Sequence, residues 1–147
     1  MVYTVSDPWV AKDWWPCKQS VNDKIDSVDM EVTVPRGVVD GSNGLLVNVD
    51  TTTTPGYWKY HWQTHYPIAY YLVSIAVARY AEYKAYMYFT GSTDSMLVQN
   101  YVYTNPSTLP YFKSVIDSTG MMIDYFSTIY GRYPFWDEKY GHSMAPL

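Results

Sequence analysis

The chain has 147 residues and is 48% hydrophobic, which is enough for a folded domain and excludes a disordered tail. Its formal net charge of −4, with no basic run, argues against a nucleic-acid partner. No apolar run is long enough to span a bilayer, and the single cysteine excludes an internal disulfide.

The first half of the chain has the alternating pattern of half-buried β-strands. The 17 tyrosines and 6 tryptophans already favour strands, because aromatic side chains pack well on a pleated surface. Alternation with period two predicts successive strands in the segments DSVDMEVTVP, LLVNVD and YWKYHWQTH. In the second of these segments, Leu45, Val47 and Val49 are predicted to share one face.

Three more strands are predicted before about residue 104. IAYYLVSIAVARY is nearly continuous apolar sequence, typical of a strand buried on both faces. YAEYKAYMYF and SMLVQNYVYT follow it at close spacing. This succession of strands predicts an antiparallel sheet or sandwich.

From residue 109 the apolar spacing changes to steps of three and four, which predicts a helix near 108–130. Ser107 or Thr108 is the expected N-cap and Gly131 the expected C-terminal glycine. Gly120 is a weak point inside this helix, at a cost of about 1 kcal/mol relative to alanine. PFWDEKYGHSM then returns to strand character. The predicted fold is therefore mainly β, an antiparallel sheet or sandwich, followed by a short strand–helix–strand α/β piece.

Two histidines, His61 and His65, have the spacing that allows a shared metal on a helix. Here the segment alternates with period two, and Trp62 stands where a metallopeptidase motif needs glutamate. In a strand, four residues span roughly 13 Å, too far for one zinc ion to reach both rings. The sequence predicts a solvated strand face and no metal ligands in this chain.

The remaining polar candidates favour structural interpretations. Trp14 and Trp15 are expected to anchor a core, and Cys17 to be a small buried hydrophobe. Asp137 and Glu138 are expected in a strand, where adjacent side chains diverge and cannot act as a catalytic pair.

His142 has no predicted partner. Asp7, in SDPW, resembles an ordinary turn aspartate when judged by spacing alone. The residues by themselves assemble no catalytic site.

One alternative is a freestanding binding module for carbohydrate or protein. Trp58, Tyr60 and Trp62 share one strand face and could form a flat stacking platform. An aromatic face is more often core, because large apolar areas are rarely left exposed. Exposure of these rings decides between the two interpretations.

The stretch SDPWVAKDWWPCKQSVNDKIDSVDMEVTVP resembles the zinc aminopeptidases of peptidase family M1, the group that contains aminopeptidase N and leukotriene hydrolase. HYPIAYYLVSIAVARY is similar to the strand in which the family's N-terminal β domain closes. YGRYPFWDEKYGHSMAP resembles the strand that leads into the catalytic domain. The resemblance covers nearly the whole chain.

This resemblance implies that the chain is a fragment of a zinc-dependent aminopeptidase that removes N-terminal residues from peptides. Residues 1–90 would be the later part of the N-terminal β domain, and 91–147 the truncated opening of a thermolysin-like catalytic domain. The family's Gly-x-Met-Glu and H-E-x-x-H motifs would follow the apolar ending SMAPL. The chain alone would then be inactive, and zinc would belong to the full-length parent.

The resemblance also implies one functional position. Asp7 aligns with the acidic or amide residue that binds the free α-ammonium of the substrate, where the family usually has Glu or Gln. A carboxylate suits an ammonium group through a charge-assisted hydrogen bond. The remainder of the parent chain would be the natural partner, and exposed apolar faces would allow homo-oligomers.

Overall fold

A computed structural model describes residues 1–146 of the chain. The chain forms two compact units, Met1–Arg79 and Tyr80–Leu147. The predicted domain boundary at 90/91 falls inside the second unit. The assignment of 1–90 and 91–147 to domains of a larger enzyme stays a prediction, and Leu147 lies outside the described residues.

The first unit contains six strands in two antiparallel sheets. The strands are β1 (Val2–Tyr3), β2 (Val28–Pro35), β3 (Val39–Ser42), β4 (Leu45–Asp50), β5 (Tyr57–Thr64) and β6 (Ile75–Ala78). One sheet has the order β1-β6-β3 and the other β2-β5-β4. Short 3₁₀ turns at Ala11–Asp13 and Tyr70–Leu72 lie between the strands.

The β2–β5 ladder confirms the predicted alternation. Its register runs from Val28 opposite Thr64 to Pro35 opposite Tyr57. On β5, Tyr60 and Trp62 are buried, whereas the intervening residues are only half-buried. The strand therefore buries one aromatic face, as its period of two requires.

The predicted shared face of β4 is wrong. Leu45 and Val47 are exposed by 40% and 51%, whereas Val49 is half-buried. The register of β4 against β5 shifts between Leu46 and Asn48, which marks a bulge. A bulge adds one residue to a strand and so breaks the simple alternation of faces.

The single buried strand predicted for IAYYLVSIAVARY is also not observed. The segment begins with the 3₁₀ turn Tyr70–Leu72, closed by the amide of Leu72 donating to the Ala69 carbonyl over 2.8 Å. Only Ile75–Ala78 is extended as β6, and Tyr80 already begins the next strand. A continuous apolar run has no period, so it does not distinguish one long buried strand from a 3₁₀ turn followed by a short strand.

The second unit is a strand–strand–helix–strand arrangement. Its elements are β7 (Tyr80–Tyr88), β8 (Ser95–Tyr103), α1 (Thr108–Tyr130) and β9 (Lys139–Ser143). β8 pairs antiparallel with β7 and parallel with β9, so α1 is the crossover that a parallel pair needs. The core of this unit contains Met87, Phe89, Met96 and Val98, with Ile123, Tyr133, Trp136 and Tyr140 packed against it.

Close packing between α1 and β7 explains why a glycine occupies position 120, which the sequence alone did not reveal. A Cβ built at Gly120 would lie 2.9 Å from the Cβ of Met87, closer than real Cβ contacts. The missing side chain lets α1 approach β7 at this point. The propensity cost inside the helix is therefore offset by close packing.

Within residues 1–146, three sheets and one long helix confirm the predicted fold class. In residues 1–146, no helix is long and apolar enough to cross a membrane.

Candidate functional site

Asp7 lies on the loop that joins β1 to the 3₁₀ turn Ala11–Asp13. The loop leaves the β1–β6 pair at Thr4, whose amide donates to the Ile75 carbonyl over 3.0 Å. The amide of Ile75 in turn donates to the Thr4 hydroxyl over 3.1 Å. The start of the loop is therefore an extension of the sheet.

The residues beside Asp7 are held by hydrogen bonds from distant parts of the same unit. The indole of Trp14 donates to the Ser6 hydroxyl over 2.9 Å. The phenol of Tyr70 donates to the Pro8 carbonyl, and the amide of Gln19 donates to the Trp9 carbonyl over 3.0 Å. The backbone on both sides of Asp7 is thus tied down, a form of preorganisation.

Asp7 itself combines a fixed backbone with an exposed side chain. Its carbonyl accepts the amide of Val10 over 3.1 Å, which closes a turn. Its side chain is exposed and, within residues 1–146, its carboxylate makes no ion pair or hydrogen bond. A rigidly placed, uncompensated carboxylate is suited to bind a cation such as an ammonium group.

Two aspartates of the same unit, Asp13 and Asp23, differ from Asp7 because they already have partners. Asp13 pairs with Lys12 at 2.7 Å, and Asp23 pairs with Lys18. Both pairs are solvent-exposed, and exposed ion pairs contribute little to stability. They leave no free carboxylate for a ligand.

The tryptophan pair is less buried than predicted. Trp14 is 38% exposed, because its indole turns towards Ser6 instead of entering the core. Trp15 is half-buried, with ring centroids 6.0 Å from Trp14. Cys17 is half-buried and carries a free thiol.

The two histidines are not brought together around a metal. His61 lies on β5, where its Nε2 contacts Oδ1 of Asp29 across the sheet. His65 follows the end of that strand at Thr64. Among residues 1–146, no group of three or more candidate ligands could hold a metal ion.

The proposed sugar-stacking platform is contradicted by burial. Tyr60 and Trp62 are 6% and 1% exposed, and Trp58 is half-buried. Trp62 also uses its indole to bind the buried Asp40. These rings belong to the core and offer no flat face to a ligand.

The predicted strand positions of Asp137 and Glu138 are wrong. Both residues lie in a turn, and β9 begins only at Lys139. The turn is closed by the amide of Glu138, which donates to the Phe135 carbonyl over 3.2 Å. The local geometry here comes from the turn and not from strand alternation.

His142 does have a partner, contrary to the sequence-based expectation. Its Nδ1 lies 2.9 Å from Oδ1 of the buried Asn100 on β8, and its ring meets Tyr140 edge-on. Partial burial lowers the pKa of the His142 imidazole, so the ring is neutral at physiological pH. This contact joins the two parallel strands of the second unit.

The second unit carries an apolar groove of about 810 Å³. It is bordered by α1, by the segment that follows it and by β9, through residues that include Met122, Phe126, Tyr130 and His142. None of the α1 side chains is fully buried, and Tyr111, Tyr125 and Tyr130 are more than half exposed. The predicted exposure of apolar faces is observed; self-association through them stays a prediction.

Comparison with solved structures finds proteins of the same fold. An M1 zinc metallopeptidase from Deinococcus radiodurans matches with a TM-score of 0.79 at 21% identity, over 99% of this chain and 32% of that one. The chain shares its fold with the M1 zinc metallopeptidases. A mutant two-domain M1 zinc metallopeptidase bound to L-arginine matches with a TM-score of 0.78, at the same identity and coverage. A mutant of the Deinococcus radiodurans M1 zinc metallopeptidase bound to a Tyr-Ser-Ala substrate matches with a TM-score of 0.77.

The chain spans about a third of the length of these M1 zinc metallopeptidases, since it covers 32% of each. No protein-family model matches the sequence, and no curated protein matches it. At 21% identity, the likeness to M1 zinc metallopeptidases establishes the fold.

The residues that fix the Asp7 loop were not predicted from the sequence. Tyr70 is 62 positions from Pro8, and Gln19 is 10 positions from Trp9. The apolar run around Tyr70 indicated only burial. The segment's resemblance to M1 enzymes pointed to Asp7 but not to its supports.

Proposed function

We propose that this chain is a segment of a zinc-dependent aminopeptidase that removes N-terminal residues from peptides. The observation that carries the proposal is the fold match to M1 zinc metallopeptidases over 99% of the chain. Solved relatives in that group include complexes with L-arginine and with a Tyr-Ser-Ala substrate. Both ligands carry a free α-ammonium group.

In the proposed enzyme, Asp7 binds the α-ammonium group of the peptide substrate. Its exposed carboxylate and its fixed backbone support this role. Recognition of a free amine at a fixed distance from the reacting bond limits cleavage to the first residue. Asp is one methylene shorter than Glu, so a loop held close to the substrate is needed for the contact.

In the proposed enzyme, zinc is held by residues outside this chain. When bound, zinc polarises a carbonyl and lowers the pKa of a water molecule. The present chain contributes scaffold and an amine contact. Its first unit supplies the loop, and its second unit supplies a strand–helix–strand piece.

The proposal is tested by an assay of the 147-residue chain and of the protein encoded by its complete reading frame. The chain alone, with added zinc, should not hydrolyse an aminoacyl chromogenic substrate. The complete protein should hydrolyse it and lose activity with a chelator. Zinc-dependent turnover by the chain alone, or a complete reading frame without H-E-x-x-H, would contradict the proposal.

A further inference from the structure

A buried side chain, Tyr70, donates a hydrogen bond to the Asp7 loop. This side chain is 1% exposed, and it stands in the 3₁₀ turn Tyr70–Leu72, where its ring meets Tyr71 edge-on at 5.6 Å. A side chain packed in this way has little rotamer freedom left. Its hydroxyl donates to the carbonyl of Pro8, one residue after Asp7.

The hydrogen bond from Tyr70 is accepted by a proline, which has few other ways of being held. Proline has no backbone N–H, so its carbonyl is the only backbone polar group by which Pro8 can be held. The half-buried side-chain amide of Gln19 donates to the Trp9 carbonyl over 3.0 Å and makes a longer contact of 3.5 Å with the Pro8 carbonyl. Tyr70 therefore provides the fully buried donor to the Pro8 carbonyl, and Gln19 a half-buried and more distant one.

The Tyr70 phenol also stays a donor over the physiological range. Burial raises the pKa of Tyr70, and the nearby Cys17 and Tyr71 groups raise it further. A phenol with a raised pKa keeps its proton well above neutral pH. The bond to the Pro8 carbonyl therefore does not switch with pH under working conditions.

We propose that Tyr70 is a positioning residue that fixes the Asp7 carboxylate for capture of a substrate's α-ammonium group. Loss of its hydroxyl leaves the ring in the core but removes the buried donor, so the Pro8 carbonyl keeps only the long contact with the Gln19 amide. The Asp7 carboxylate then samples orientations that do not contact the substrate's α-ammonium group. Ordering the loop on binding costs free energy, which weakens substrate binding. The enzymatic consequence rests on the proposed function, whereas the loop ordering does not.

The first experiment needs only the present chain. Amide hydrogen exchange is measured at Val10, whose N–H is bonded to the Asp7 carbonyl, in wild type, Tyr70→Phe and Tyr71→Phe. We expect faster exchange at Val10 in Tyr70→Phe, by about threefold to tenfold, the ratio that one net hydrogen bond supplies. Tyr71→Phe is the matched control and should exchange like wild type. Equal exchange in wild type and Tyr70→Phe would overturn the inference.

The second experiment uses the protein encoded by the complete reading frame. In Tyr70→Phe we expect KM for an aminoacyl substrate to rise by about threefold to tenfold, with kcat within about twofold. If Tyr70 had only a structural role, Tyr70→Phe would lower the melting temperature without raising KM selectively over kcat. An active wild type with an unchanged KM in Tyr70→Phe overturns the inference alone. An inactive wild type overturns the proposed function and with it the enzymatic role of Tyr70, whatever the exchange data show.

Discussion

The indole Nε1 of Trp62 donates a hydrogen bond to Oδ2 of Asp40 over 2.8 Å, and both residues are almost completely buried. Trp62 comes from β5 and Asp40 from β3, so the bond joins strands of the two sheets of the first unit. A buried carboxylate is costly unless donors satisfy it. This bond therefore stabilises the core that carries the Asp7 loop.

Replacement Trp62→Phe should destabilise the first unit by about 2–4 kcal/mol, since it removes both aromatic volume and a donor to a buried carboxylate. The free energy of unfolding from urea titration measures the effect. Trp9→Phe is the matched control, because Trp9 is 69% exposed, and it should change stability by less than about 0.5 kcal/mol. Equal stability of the two variants would contradict this account of the core.

Gly120→Ala should destabilise the second unit, although alanine favours helices by about 1 kcal/mol over glycine. The added Cβ would lie 2.9 Å from the Cβ of Met87, so α1 must move away from β7. Overpacking of this kind costs about 1–3 kcal/mol. Thermal unfolding of Gly120→Ala and of the control Ser114→Ala, an exposed position on α1, measures the difference. A stabilised Gly120→Ala variant would mean that the close approach is absent.

The second unit should lose stability in acid through Asp94. Hydrogen bonds from Arg132 and Ser92 hold the pKa of Asp94 below its usual value. A depressed folded-state pKa gives stability that is present above the unfolded-state pKa of about 3.9 and lost as pH falls through the folded-state value. The unfolding free energy should therefore fall below about pH 4. Asp94→Asn should flatten this dependence, whereas Asp26→Asn, at an exposed position in the first unit, should not.

Much of the fold followed from local patterns, and the failures have definite physical causes. Alternation predicted β2 and β5 because each buries one face, and apolar steps of three and four predicted α1. Alternation failed at the bulge in β4, where one extra residue changes the faces. It also failed at Asp137 and Glu138, where a turn replaces the strand.

The candidate site was only partly predictable. Asp7 was proposed as a binding residue through the family resemblance, whereas spacing and composition gave it no role beyond a turn. Its supports, Tyr70 and Gln19, are tertiary contacts that no local pattern encodes. The close approach at Gly120 is of the same kind, because it depends on where β7 passes α1.

The central claim is most directly tested by kcat/KM for an aminoacyl substrate in the complete protein, for wild type, Asp7→Asn and the control Asp26→Asn. Asp26 is also exposed and lies in the same unit. The account predicts that Asp7→Asn lowers kcat/KM by about 10-fold to 100-fold, the value of one charge-assisted hydrogen bond. Asp26→Asn should remain within about twofold of wild type. Equal kcat/KM for Asp7→Asn and wild type would contradict the claim that this loop binds the amine of the substrate.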